Sequence, residues 1–78
     1  MSKEKDYSNA IQLYRKVIEI NPTAYPAAYY NLALISALEE NFVYAIVNMK
    51  KYLLLVPGAE DARAAQDKIY EWEFNLEK

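Results

Sequence analysis

Paired carboxylates are the only side chains in this sequence that combine acid–base chemistry with a short spacing. The 78-residue chain contains no histidine and no cysteine, so the commonest general base, the thiol nucleophile and the usual zinc ligands are missing. The carboxylate pairs include Glu39-Glu40 and Glu71 with Glu73. Because pairs at helix ends and exposed flanks lack a pocket that would tune them for proton transfer, they do not indicate an active site. We expect a protein that is not an enzyme and that uses no metal ion or other cofactor.

Composition and charge restrict both the fold and the partners. Apolar residues make up 54% of the chain, and a single glycine with three prolines leaves a β-sheet without its turn residues. The net charge of −2 gives no reason to expect a nucleic acid or an anionic membrane surface. The start is charged and unlike a signal peptide, and no run approaches the roughly 20 apolar residues of a membrane span. We expect one all-α domain over residues 1–78, cytoplasmic by default, although the chain could be a fragment of a larger protein.

An internal repeat organises the sequence between Asp6 and Pro57. Residues 6–22 align without a gap on residues 41–57, a period of 35 residues. The identical pairs include Ala10/Ala45, Ile11/Ile46, Lys16/Lys51 and Pro22/Pro57. A repeat of this period indicates helical hairpins that stack on one another.

Apolar residues recur at helical spacing in four segments, which prolines separate. Asn21-Pro22 and Val56-Pro57 end two of them, because proline lacks an amide donor and disfavours a helical conformation before it. The predicted elements are a helix over 4–20, a helical hairpin over 26–57 and a last helix over 60–77, which begins at Glu60 or Asp61. In that last helix we expect a charged outer side and a packing face made of Ala62, Ala65, Ile69, Trp72 and Leu76.

The hairpin resembles the tetratricopeptide repeat (TPR) family. The matching residues are Tyr29, Leu32 and Ala33 in its first helix, Ala45 in its second and Pro57 at its end. Two features depart from the family: Ser36 stands where an aromatic residue is usual, and the period is one residue longer. The resemblance implies four antiparallel helices stacked as TPR-like hairpins: half a repeat, one full repeat and a C-terminal capping helix.

The resemblance also implies where a partner would bind. Members of the family hold peptides or partner proteins in a concave groove lined by the first helix of each hairpin. The residues on that side of this chain are Ala27, Tyr30, Asn31, Leu34 and Leu38. The asparagine amide can pair with a backbone amide and a carbonyl of a bound chain. We expect a non-catalytic adaptor or scaffold, with the alternative that Tyr30, Leu34 and Leu38 are ordinary core residues.

Self-association is the second functional hypothesis. Helix three has Val43, Tyr44, Val47 and Leu54 at the positions where helix one has Ser8, Asn9, Gln12 and Glu19. A second apolar stripe of this kind suggests a contact with another chain. Helix one, which includes Ile11, lacks a preceding helix and has more apolar surface than helix two can cover. We therefore predict a homodimer or higher oligomer through Ile11, Val43, Tyr44, Val47 and Leu54.

Overall fold

The computed structural model describes residues 7–78, and all regular secondary structure in that range is helical. The helices are α1 (Ser8–Ile20), α2 (Pro26–Leu38), α3 (Phe42–Leu55) and α4 (Ala62–Leu76). The all-α prediction is confirmed. The predicted start of the first helix near Glu4 lies outside the described residues.

The link between α2 and α3 shows why one helix ends and the next begins. The amide of Glu40 donates to the carbonyl of Ala37 (2.8 Å), and the amide of Asn41 donates to the carbonyl of Ser36 (2.9 Å). These two bonds form a Schellman motif, which requires a left-handed residue, and Glu40 adopts it with a φ of 64°. The side chain of Asn41 then accepts a hydrogen bond from the amide of Tyr44 (3.3 Å) and caps α3.

Each helix packs on the next one in the chain: α1 on α2, α2 on α3, and α3 on α4. The core cluster lies between the last three, and its buried residues are Tyr29, Ala33, Ala45, Ile46, Met49, Tyr52, Ala65, Ile69 and Trp72. Ala33 and Ala45 are completely buried, in agreement with the small side chains that close helix packing requires. In contrast, α1 contributes no buried residue.

The packing of α4 departs from the sequence prediction in two respects. Ala65, Ile69 and Trp72 are buried as expected, but Leu76 in the last turn is about half exposed. The prediction of a charged outer side was also incomplete, because Tyr70 and Phe74 are exposed there. Both differences arise because α4 packs mainly on α3, and a single neighbour covers only one side of a helix.

Candidate functional site

The five predicted groove residues lie along one side of α2 but differ in exposure. Ala27 and Leu38 are exposed, whereas Tyr30, Asn31 and Leu34 are partly buried. Tyr30 and Leu34 pack against the core cluster. The accessible surface on this side of α2 is therefore concentrated at its two ends, with the partly accessible Asn31 between them.

Tyr30 is held in place by contacts that extend to α3 and the start of α4. Its ring meets the ring of Tyr52 edge to face, with the centroids 5.0 Å apart and the planes at 74°. The hydroxyl of Tyr52 donates to Oδ1 of Asp61 at 2.7 Å. This hydrogen bond, reinforced by burial of the phenol, raises the pKa of Tyr52 from 10.0 to about 12. The ring of Tyr30, which is partly accessible on the α2 surface, is therefore supported from α3.

Asn31, beside Tyr30, is the polar group of this surface. Within residues 7–78 its side chain has no hydrogen-bond partner in the structure. Since an asparagine amide offers two donors and one acceptor oxygen, it can pair with the backbone of another chain. The α2 surface therefore combines the supported Tyr30 ring, a free amide and the exposed Leu38.

A cleft of about 330 Å³ between α1 and α3 was missed by the sequence reasoning. Its lining residues are Arg15, Ile18, Glu19, Tyr29, Leu32, Tyr44, Asn48 and Lys51. Asn48 could have indicated this cleft from the sequence, because it is a polar residue on the core side of an otherwise apolar part of α3. It is 3% exposed, and its Nδ2 donates to the carbonyl of Tyr44 at 2.9 Å.

The charged groups of this cleft form few contacts with the rest of the protein. Among the described residues, Arg15 and Glu19 form no ion pair. The ammonium group of Lys51 lies 6.0 Å from the centre of the Tyr29 ring, at the limit of a cation–π contact. The hydroxyl of Tyr29 in turn donates to the carbonyl of Pro22 at 2.8 Å. The cleft can contact a polar or charged group, and it contains no nucleophile paired with a base.

The residues predicted for self-association fall into two groups. Val43, Val47 and Leu54 form an exposed apolar stripe on α3. Tyr44 lines the cleft and is partly buried, and Ile11 on α1 is also partly buried. The structure therefore brings only three of the five residues together on an open surface.

Two further residues of α1 are more exposed than Ile11. Leu13 and Ile20 are both largely exposed, and the sequence reasoning counted them only as part of the apolar surface of α1. Helical periodicity could not distinguish them from covered residues, because coverage depends on which neighbouring helix is present.

No protein-family model, curated protein or solved structure matches this chain. The TPR resemblance therefore depends on the residues quoted above and on how they are arranged. Within residues 7–78, no helix combines the length and the apolar character needed to cross a membrane.

Proposed function

We propose that this chain is a non-catalytic protein–protein interaction module of the TPR type, an adaptor or scaffold that binds a peptide or partner protein. The observation that carries the proposal is the exposure of large apolar side chains. Ten of them among the described residues are 42–80% exposed. Some of them share one side of a helix, as Val43 and Val47 do on α3 and Tyr70 and Phe74 do on α4. Grouped apolar side chains of this kind are typical of a contact with another chain. The proposed module uses no cofactor and binds no nucleic acid. Its proposed location is the cytoplasm.

The order of helix packing supports the TPR part of the proposal. Each helix contacts its sequence neighbours, as in a stacked array of antiparallel hairpins. The small residues that the family places between its two helices correspond to Ala33 and Ala45, which are fully buried. In this arrangement α2 is the first helix of the complete repeat, and α4 is the capping helix.

The α2 surface is the proposed partner site. Tyr30 is preorganised by Tyr52, so a partner that packs on it does not have to order the ring. The Asn31 amide supplies hydrogen bonds to the partner backbone, while Leu38 and Ala27 supply apolar contact at the two ends. An extended peptide or a short helix of mixed polar and apolar character fits these groups.

Self-association is the second candidate function, and the exposed stripe of Val43, Val47 and Leu54 on α3 favours it. Burying a large apolar side chain contributes about 1.5–3 kcal/mol. Three such residues on one helix can therefore contribute substantially to a contact between two copies.

Peptide selection followed by paired variants tests the α2 assignment. Peptides selected from a random library on the immobilised chain are titrated against Asn31→Ala/Leu38→Ala and against Val43→Ala/Val47→Ala. Neither double variant removes a buried side chain, so both should keep their helicity. We expect the α2 variant to bind about tenfold or more weakly and the α3 variant to bind like the wild type. Equal binding by both variants would show that α2 is not the partner site.

A further inference from the structure

Helices α1 and α3 are equivalent in sequence but differ in their surroundings. The 35-residue repeat aligns the sequence of α1 with the sequence of α3. Helix α3 packs on both α2, which precedes it, and α4, which follows it. Helix α1 packs on α2, which follows it. Among the described residues, no helix stands on α1 in the place that α2 takes on α3.

The equivalent positions show what this missing neighbour leaves uncovered. Asn48 on α3 is 3% exposed, whereas its counterpart Leu13 on α1 is 68% exposed. Leu55 is partly buried, whereas its counterpart Ile20 is 77% exposed. Asn48 lines the cleft that α3 forms with α1 and α2. The side of α1 that corresponds to this covered side of α3 is therefore both apolar and open.

This open side of α1 also has a suitable shape for a partner side chain. It contains a depression of about 310 Å³ lined by Asn9, Gln12, Leu13 and Lys16. All four residues belong to α1; Leu13 is the apolar side chain of the depression and Lys16 its cation. The volume is large enough to receive an aromatic ring. We call Leu13, Ile20 and this depression the α1 end of the molecule.

At the opposite end of the molecule, α4 also has a side that no other described helix covers. Helix α2 packs on helices at two sides, whereas α4 packs mainly on α3, through Ala65, Ile69 and Trp72. Away from α3, Tyr70 is 60% exposed and Phe74 is 59% exposed, one helical turn apart. We call these two aromatic residues the α4 end.

We propose that copies of this chain associate head to tail, with the α4 end of one copy packed on the α1 end of the next. In that contact, α4 of one copy packs on α1 of the next copy in the way that α2 packs on α3 within a copy. The α4 end and the α1 end then form one helix pair. The rings of Tyr70 and Phe74 cover Leu13 and fill the depression beside it. This inference rests on the proposed interaction function and names a second copy as the occupant of the two ends.

Charge is consistent with this pairing. Lys16 lines the α1 depression. On α4, Asp67 and Glu71 share the side of Tyr70 and Phe74 by helical spacing, and the ammonium group of Lys78 lies 5.0 Å from the centre of the Phe74 ring. Opposite charges at the rim of an apolar contact contribute to orientation and to the rate of association more than to affinity.

The two surfaces in this contact are different, so each copy keeps one free α1 end and one free α4 end. A heterologous contact whose rotation does not close a ring produces an open chain of copies. The average mass in solution should therefore keep rising with concentration. A symmetric contact through Val43, Val47 and Leu54 would instead stop at a dimer.

Two single substitutions and their mixture test the inference by sedimentation and light scattering. Leu13→Asp blocks the α1 end, and Phe74→Asp blocks the α4 end. Both residues are more than half exposed, so each variant should fold, which circular dichroism checks. We expect each variant alone to be monomeric and an equal mixture to form a complex of two chains, because the mixture contains one intact α4 end and one intact α1 end. Val47→Asp disrupts the alternative contact through α3, which is not the inferred contact, so this variant should assemble like the wild type.

Three results would overturn the inference. One is a wild-type chain that stays monomeric from about 1 μM to about 1 mM, the range that spans weak to moderate affinities. Another is a mixture of the two variants that does not pair. The third is a wild-type dimer that does not grow and that Val47→Asp dissociates. Unchanged peptide binding in the Asn31→Ala/Leu38→Ala variant, with head-to-tail assembly intact, would overturn the α2 assignment and leave this inference standing.

Discussion

The hydroxyl of Tyr52 donates a 2.7 Å hydrogen bond to Asp61, the residue immediately before α4. The contact connects the C-terminal half of α3 to the start of the last helix. Because the ring of Tyr52 also supports Tyr30 on α2, one side chain fixes the relative positions of three elements. A prediction about pH follows from this arrangement.

Stability should decline above pH 10 partly because of Tyr52. Its pKa is about 12 in the folded chain and 10.0 when unperturbed, so between these values the folded chain retains a proton that the unfolded chain has lost. The free energy of unfolding therefore falls as the pH rises through this window, and the contribution is fully present below pH 10. Urea unfolding at about pH 9 and about pH 11 measures the fall.

Tyr52→Phe is the control for this pH effect, because it keeps the ring and removes the titrating hydroxyl. The other tyrosines and the lysines are common to both chains, so the difference between the two curves isolates Tyr52. We expect the variant to lose less stability than the wild type between these pH values. Parallel curves would show that the Tyr52–Asp61 bond is absent in solution.

Glu40→Gly should stabilise the protein. Glu40 has a φ of 64° in the turn after α2, a conformation that costs most residues about 1–2 kcal/mol and costs glycine almost nothing. After allowing for the greater freedom of glycine in the unfolded chain, we expect a gain of about 0.5–1 kcal/mol in the free energy of unfolding. Chemical denaturation measures it.

The neighbouring Glu39→Gly is the matched control for that turn. Glu39 has a φ of −90°, which an ordinary residue adopts without strain. Glycine at this position should therefore be neutral or destabilising. If both substitutions shifted the denaturation midpoint in the same direction, the left-handed turn would not explain the effect at Glu40.

Trp72→Ala should destabilise the protein far more than Tyr70→Ala. Trp72 is 5% exposed and belongs to the core cluster, and truncating such a residue costs about 3–5 kcal/mol. Tyr70 lies two positions earlier on the open side of α4, where substitutions usually change stability by within about 0.5 kcal/mol. Thermal unfolding of dilute protein compares the two variants. Equal melting temperatures would show that α4 does not cover the core.

The sequence was sufficient to predict the helices because their boundaries depend on local chemistry. The hairpin predicted over 26–57 corresponds to α2, which begins at Pro26, and α3, which ends at Leu55. Proline restricts the backbone at these positions whatever the tertiary context. The burial of Trp72 follows from the helical spacing of the apolar residues of α4. Ala33 and Ala45, which are also buried, were expected from the resemblance to the TPR family.

The sequence was insufficient where the outcome depends on which neighbour is present. Asp61 stands at the N-cap of α4, within the predicted start of that helix. The sequence did not predict that its carboxylate also accepts a hydrogen bond from Tyr52 on α3. Leu13 and its counterpart Asn48 occupy the same repeat position, yet only Asn48 is covered by other helices. Local patterns identify the side of a helix that is apolar, whereas tertiary packing decides how much of that side is buried.

The central claim is that the open surfaces of this chain, and that of α2 in particular, bind other polypeptides. It is tested most directly by a nuclear magnetic resonance titration of the ¹⁵N-labelled Leu13→Asp chain, in which assembly through α1 is blocked, with a peptide selected on the wild type. The account predicts saturable shifts of backbone amides grouped on α2, around Ala27, Asn31 and Leu38. Shifts confined to α3 around Val43 and Val47, or no saturable shifts at all, would contradict it.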